Sequence, residues 1–134
     1  MGKLNALRTD PNKESSGVWI DYEDDIKLKI GRMNSPAFEK FIADRQATSI
    51  GRYRRAKQTD AERDKLIEEA VANTILLDWK NIQDEEGLDI PFSKEKALEF
   101  FRDPGLRDFY RFVLIEASQA DNFKKDVLEQ SSGN

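Results

Sequence analysis

The stretch TDAERDKLIEEAVANTILLDWK, Thr59 to Lys80, decides the expected architecture. Thr59 and Glu62 form a T-x-x-E capping box, in which the threonine oxygen takes a free amide of the first turn and the glutamate reaches back. Ile67, Val71, Ile75 and Trp79 then recur every four residues, with Leu66, Ala70 and Leu77 widening the stripe. Such spacing lines one face of an α-helix. The reading predicts the longest helix of the chain, running to about Lys80 and closing its buried stripe on Trp79.

Towards the C-terminus, Asp84 to Gly87 breaks the pattern, and Ile90-Pro91-Phe92 is expected to be extended because proline disfavours a helical residue before it. Ser93 is a cap for a helix carrying Ala97, Leu98, Phe100 and Phe101. Asp103-Pro104 ends that helix and starts the last one, whose buried face is Leu106, Phe109, Tyr110, Val113, Ala117 and Ala120. Towards the N-terminus, Ser35-Pro36 opens a short helix with the stripe Phe38, Phe41, Ile42. Thr48 to Lys57 (TSIGRYRRAK) reads as a basic connection. Before these, Val18-Ile20-Tyr22 and Ile26-Leu28-Ile30 alternate with polar or outward residues on either side of Glu23-Asp24-Asp25, which is the signature of a β-hairpin. The expectation is a mainly α fold: about four helices with an N-terminal β-hairpin in one compact domain, residues 17–123. A flexible arm at 1–16 and a frayed tail at 124–134 flank it.

Composition narrows the chemistry. The 134 residues include no histidine and no cysteine, and 36% of them are charged, against about 25% in an ordinary domain. A Ser-His triad, a thiolate nucleophile, a zinc finger and a CxxC redox pair are excluded. No apolar run approaches the roughly 20 residues of a membrane span, and no signal-peptide core follows Met1. Charge is divided along the chain: residues 1–58 carry 12 basic and 8 acidic side chains, whereas residues 59–134 carry 10 and 18. That asymmetry favours self-association or an electrostatic partner.

No constellation supports catalysis. Asp21, Glu23, Asp24 and Asp25 suit a solvated turn. The Asp84-Glu85-Glu86-Gly87 run has Asp89 where an EF-hand loop starting at Asp84 needs glycine. Neither GxxxxGK[ST] nor GxGxxG occurs. Arg52-Tyr53-Arg54-Arg55-Ala56-Lys57 offers cations around an aromatic, which suits phosphate or an acidic protein surface; the net charge of −4 argues against nucleic acid. Among the aromatics, Trp19 lies on the hairpin face opposite Val18, Ile20 and Tyr22. Burial is likewise open for Phe100, Phe101 and Phe112, because one face cannot bury every adjacent aromatic. An exposed apolar groove for a partner follows from that surplus.

Two stretches carry a resemblance: GVWIDYEDDIKLKIGRMNSPAFEKFI (Gly17–Ile42) and WKNIQDEEGLDIPFSKEKALEFFRDPGLRDFYRFVLIEAS (Trp79–Ser118). The run Ile30-x-Arg32, and the connection formed by Trp79, Ile82, Asp84, Gly87, Ile90, Pro91, Phe92 and Ser93, resemble the tail assembly chaperones of long, non-contractile-tailed phages and their prophages. The resemblance covers about two-thirds of the chain. It implies a non-enzymatic helical protein of the host cytoplasm, with no catalytic residue, metal or cofactor. Such a protein keeps the tape measure protein soluble, brings tail tube subunits onto it and is absent from the mature virion. The expected partner-binding residues are Trp19, Trp79, Phe92, Phe100, Phe101, Arg52, Arg54 and Arg55, with a homo-oligomer as the working form. The alternatives are a structural virion component, such as a head–tail connector or tail completion protein, and a small nucleic-acid-binding regulator.

Overall fold

A computed structural model describes residues 2–53 and 59–125. The hairpin forms as expected from its alternation: β1 (Val18–Asp21) pairs antiparallel with β2 (Lys27–Ile30). The Glu23-Asp24-Asp25 turn is closed by bonds from the Tyr22 amide to the Ile26 carbonyl (2.9 Å) and from the Ile26 amide to the Glu23 carbonyl (3.1 Å). A two-stranded hairpin is marginal by itself in water, so its apolar face needs covering and its pairing needs extending. Both happen here. Leu76–Lys80 forms a third strand, β3, antiparallel to β2, giving a sheet of order β1-β2-β3.

This strand corrects the mainly α expectation. The protein is α plus β, with a three-stranded antiparallel sheet and, among the described residues, five α-helices. The helices are α1 (Pro11–Ser16), α2 (Pro36–Tyr53), α3 (Asp60–Thr74), α4 (Lys94–Phe101) and α5 (Arg107–Ser118). The helix predicted to reach Lys80 stops at Thr74. Near its end the Asn73 amide and Thr74 hydroxyl donate to the Glu69 and Ala70 carbonyls, four residues back. The bond from the Ile75 amide to the Val71 carbonyl is the last of the helical ladder before the chain turns extended. The apolar run Ile75-Leu76-Leu77 and Trp79 fits either period, and pairing with β2 decides for the strand. A register shift between Lys29 and Ile30 lets Leu76 and Trp79, three residues apart, both face inward.

Capping chemistry sets the other boundaries as expected. Thr59 accepts from the Glu62 amide at 3.1 Å, Ser93 from the Lys96 amide at 3.0 Å, and Ser35 from the Phe38 amide at 3.4 Å. Asp103 caps a 3-10 turn, Pro104–Leu106, that leads directly into α5. The basic connection expected at 48–57 instead begins as helix, since α2 continues to Tyr53. A single interior glycine, Gly51, costs a helix only about 1 kcal/mol.

The inner sheet face presents Ile20, Leu28 and Trp79 in one row and Val18, Ile30 and Leu76 in the next. Against it pack Val71, Ile75, Ala97, Phe101, Phe109, Val113 and Ala117 from the helices, all buried. Residues 9–16, assigned by sequence to the arm, are tied to this body. Thr9 bridges Lys124, the Asp10 amide donates to the Phe123 carbonyl, and Lys13 Nζ donates to the Lys124 carbonyl at 2.9 Å. Arg32 is the hub of this corner. Its amide donates to the Glu14 carbonyl, and its guanidinium lies 3.7 Å from the Glu14 carboxylate and over the ring of buried Phe123. Residues 126–134 lie outside the described residues.

Candidate partner-binding surfaces

The connection from Trp79 to Ser93 is built as a fold element. Trp79 is 5% exposed, and its indole Nε1–H donates to the Ile90 carbonyl at 2.7 Å. Its ring stacks on Phe100 (5.1 Å between centroids, 10° between planes) and meets Phe92 edge-on at 5.0 Å. Between these anchors the chain makes a closed loop. The Asp84 carboxylate accepts from the amides of Glu86 (2.9 Å) and Leu88 (3.0 Å), and Gly87 takes φ +82°. The Ile90 amide returns to the Ile82 carbonyl. Asp84 is therefore spent on backbone amides, an Asx-turn role. Among the described residues, no group of three or more acidic side chains is placed to hold a metal ion.

The aromatics expected to line an exposed groove instead satisfy one another. Phe100 also meets Phe109, Phe101 packs on Phe109 and Tyr110, and Tyr22 packs on Phe109 and Phe112. Trp79 and Phe101 are core residues, and Phe92 and Phe100 are half-buried around them. The phenol of Tyr110 is pushed far above its ordinary pKa, first by burial and then by Glu68 and Asp64. The Tyr22 phenol moves the same way, from burial and then Glu23 and Asp108.

Trp19 is placed differently. It is 40% exposed on the outer sheet face, where Trp19, Lys29 and Asp78 form one row and Asp21, Lys27 and Lys80 the next. Lys80 Nζ sits 4.3 Å from its ring centroid and Lys29 Nζ 5.9 Å away. Ammonium groups over an indole are held by its ring quadrupole. The result is a cationic aromatic patch. Lys27 is paired with Asp21 at 2.5 Å. The side chain of Arg52, together with Arg54 and Arg55, lies outside the described residues.

A groove does exist, in a place sequence reasoning missed. Where α2 crosses α3, Met33, Phe38, Ile42, Leu66 and Ile67 enclose an open apolar cleft of about 410 Å³, rimmed by Asn34, Glu39, Gln46 and Arg63. Its lining comes from the apolar stripes of α2 and α3, together with Met33 and Asn34 from the turn before α2. The available signal was the pair Leu66-Ile67, adjacent residues that one core-facing stripe cannot fully bury. Both are half-buried. Among the described residues, no helix is long and apolar enough to cross a membrane.

A family model described as YdaY prophage protein matches residues 33–134, a span that holds α2 to α5, the cleft and the whole Trp79–Ser93 connection. No curated protein and no solved structure matches the chain. With well over half of its length inside that match, the chain belongs to the YdaY prophage protein family.

Proposed function

We propose that this prophage protein is a non-enzymatic tail assembly chaperone that binds the tape measure protein and helps bring tail tube subunits onto it in the host cytoplasm. The observation that carries the reading is the cleft between α2 and α3. Its volume falls within the roughly 300–1,000 Å³ of typical binding sites, and its apolar lining with polar rims suits the apolar stripe of an amphipathic helix. A tape measure protein is a long array of such helices. The resemblance of the Trp79–Ser93 connection to the chaperone group supports the same reading, as does a surface charged enough to keep a complex soluble. Self-association belongs to the proposal as well.

Co-expression with the tape measure protein of the same prophage tests it. Soluble tape measure protein should rise with this chain present and fall back with Leu66→Glu, which alters the cleft lining at a half-buried position. Circular dichroism on the variant checks that the fold is kept. Equal solubility with and without the chain overturns the proposal. Mass spectrometry of purified virions separates it from a structural component: a chaperone is absent or trace, a connector stoichiometric.

A further inference from the structure

Among the described residues, the hairpin leaves one strand edge unpaired. Along an antiparallel pair, residues alternate between bonding to the partner and pointing away from it. The Tyr22–Ile26 bond sets the phase: Ile20 and Val18, two and four residues on, direct their amides and carbonyls to β2. The other edge of β2 agrees, because Gly31, in phase with Lys27 and Lys29, bonds to Ile75 beside β3. Trp19 and Asp21 therefore point their backbone amides and carbonyls outward from β1. β1 is one of the two outer strands of the sheet, with β2 as its neighbour. It contains no proline, lysine or bulge of the kinds that commonly block a sheet edge. Its inward residues Val18 and Ile20 stay half-buried, whereas their partners Ile30 and Leu28 are fully buried.

We propose that this edge pairs with β1 of a second copy, antiparallel and centred on Ile20, making one six-stranded sheet. This gives an interface to the self-association proposed above. In that register Trp19 faces Asp21 of the second copy and exchanges two backbone hydrogen bonds with it, and by symmetry Asp21 does the same with Trp19. The two strands then share four such bonds. The same register is also favourable in charge: each Asp21 carboxylate, paired within its own chain to Lys27, arrives beside the partner's Trp19 with its flanking Lys29 and Lys80 ammonium groups. On the inner face Ile20 meets Ile20, and Val18 meets Tyr22, which already packs on Phe109 and Phe112. A one-residue slip would turn the strand over and place Trp19 against the inner layer.

The chain contains no cysteine, so single substitutions test the register cleanly. Ile20 would face its symmetry mate as a non-hydrogen-bonded pair, with Cα atoms about 4.5 Å apart, a separation within the roughly 4.4–6.8 Å that a disulfide spans. Ile20→Cys should cross-link to a covalent dimer on mild oxidation, whereas Trp19→Cys, which faces Asp21, should do so poorly. Asp21→Pro removes an outward amide and leaves the β1–β2 ladder intact. It should weaken dimerisation in sedimentation velocity by about tenfold or more, since symmetry deletes the bond twice, while circular dichroism stays unchanged. A parent protein that sediments as a monomer up to high micromolar concentration overturns the proposal. So does a dimer that Asp21→Pro leaves intact, or a Trp19→Cys protein that cross-links as readily as Ile20→Cys. All of this uses the isolated protein, so its failure is distinguishable from failure of the tape measure reading.

Discussion

Replacing Trp79 by phenylalanine would test whether the indole ties the connection to the sheet. Phenylalanine keeps most of the apolar ring between Phe92 and Phe100 but has no donor for the Ile90 carbonyl, now 2.7 Å from Nε1. A typical hydrogen bond contributes about 1 kcal/mol net, and stranding a partly buried carbonyl costs about 1–3 kcal/mol. The smaller ring also leaves unfilled volume where the protein is 95% shielded, as Trp79 is 5% exposed. The expected loss is about 2–3 kcal/mol for Trp79→Phe, and about 5 kcal/mol for Trp79→Ala, which also gives up two aromatic contacts. Against a total stability of about 5–15 kcal/mol, the alanine variant is at the edge of folding. At about 3–5 °C per kcal/mol for a chain of this size, Trp79→Phe should lower Tm by about 10 °C. Urea unfolding followed by far-UV circular dichroism measures the first quantity. Hydrogen exchange gives a second, local readout: the amides of Ile90 and Leu88, bonded to the Ile82 carbonyl and the Asp84 carboxylate, should lose protection before the sheet does. A Trp79→Phe protein within about 0.5 kcal/mol of the parent, with those amides still protected, would refute the reasoning.

Two further predictions concern backbone conformation and pH. Gly87 has φ +82° with nothing near the position a Cβ would take, so Gly87→Ala carries backbone strain alone, about 1–2 kcal/mol. Gly17 has φ +83° and a Cβ there would lie 2.8 Å from Leu77 Cδ1, so Gly17→Ala should cost clearly more in the same denaturation assay. The raised Tyr110 phenol makes stability depend on pH at the alkaline end. Below the unfolded pKa near 10 both states hold the proton and stability is insensitive to it; above it the unfolded state releases the proton first, so stability falls with rising pH. Tyr110→Phe should flatten much of that alkaline fall in melts compared between pH 8 and 11, and an unchanged slope would count against the burial of this phenol.

Much of the local structure was legible because its causes are local. Each cap lies within three residues of the amide it satisfies, so Thr59, Ser35, Ser93 and Asp103 could be read directly from the chain. The hairpin's alternation likewise specified its register. The partner surfaces were less legible. Phe100 and Phe101 looked surplus because a single helix face cannot bury both, yet Trp79 and Phe109 come from other elements and take one each. The cleft arises from how α2 lies on α3, and neither helix contains it alone. Asp84 and Gly87 stood out as parts of a motif, but their work, closing a loop whose ends Trp79 and Ile90 hold together, depends on a bond across eleven residues.

By itself, the sequence determined the turn at Glu23–Asp25, the starts of α2, α3 and α4, the apolar faces and the exclusion of histidine and cysteine chemistry; it did not reveal α1, which Asp10 caps inside the stretch read as an arm. Tertiary structure alone decided what Leu76–Lys80 would be. A five-residue run with leucines and a tryptophan satisfies the helical and the extended period equally well, so local preference cannot choose. The choice comes from β2, nearly fifty residues earlier, whose free backbone edge and buried Leu28 and Ile30 reward an extended neighbour with hydrogen bonds and burial that a longer α3 could not supply.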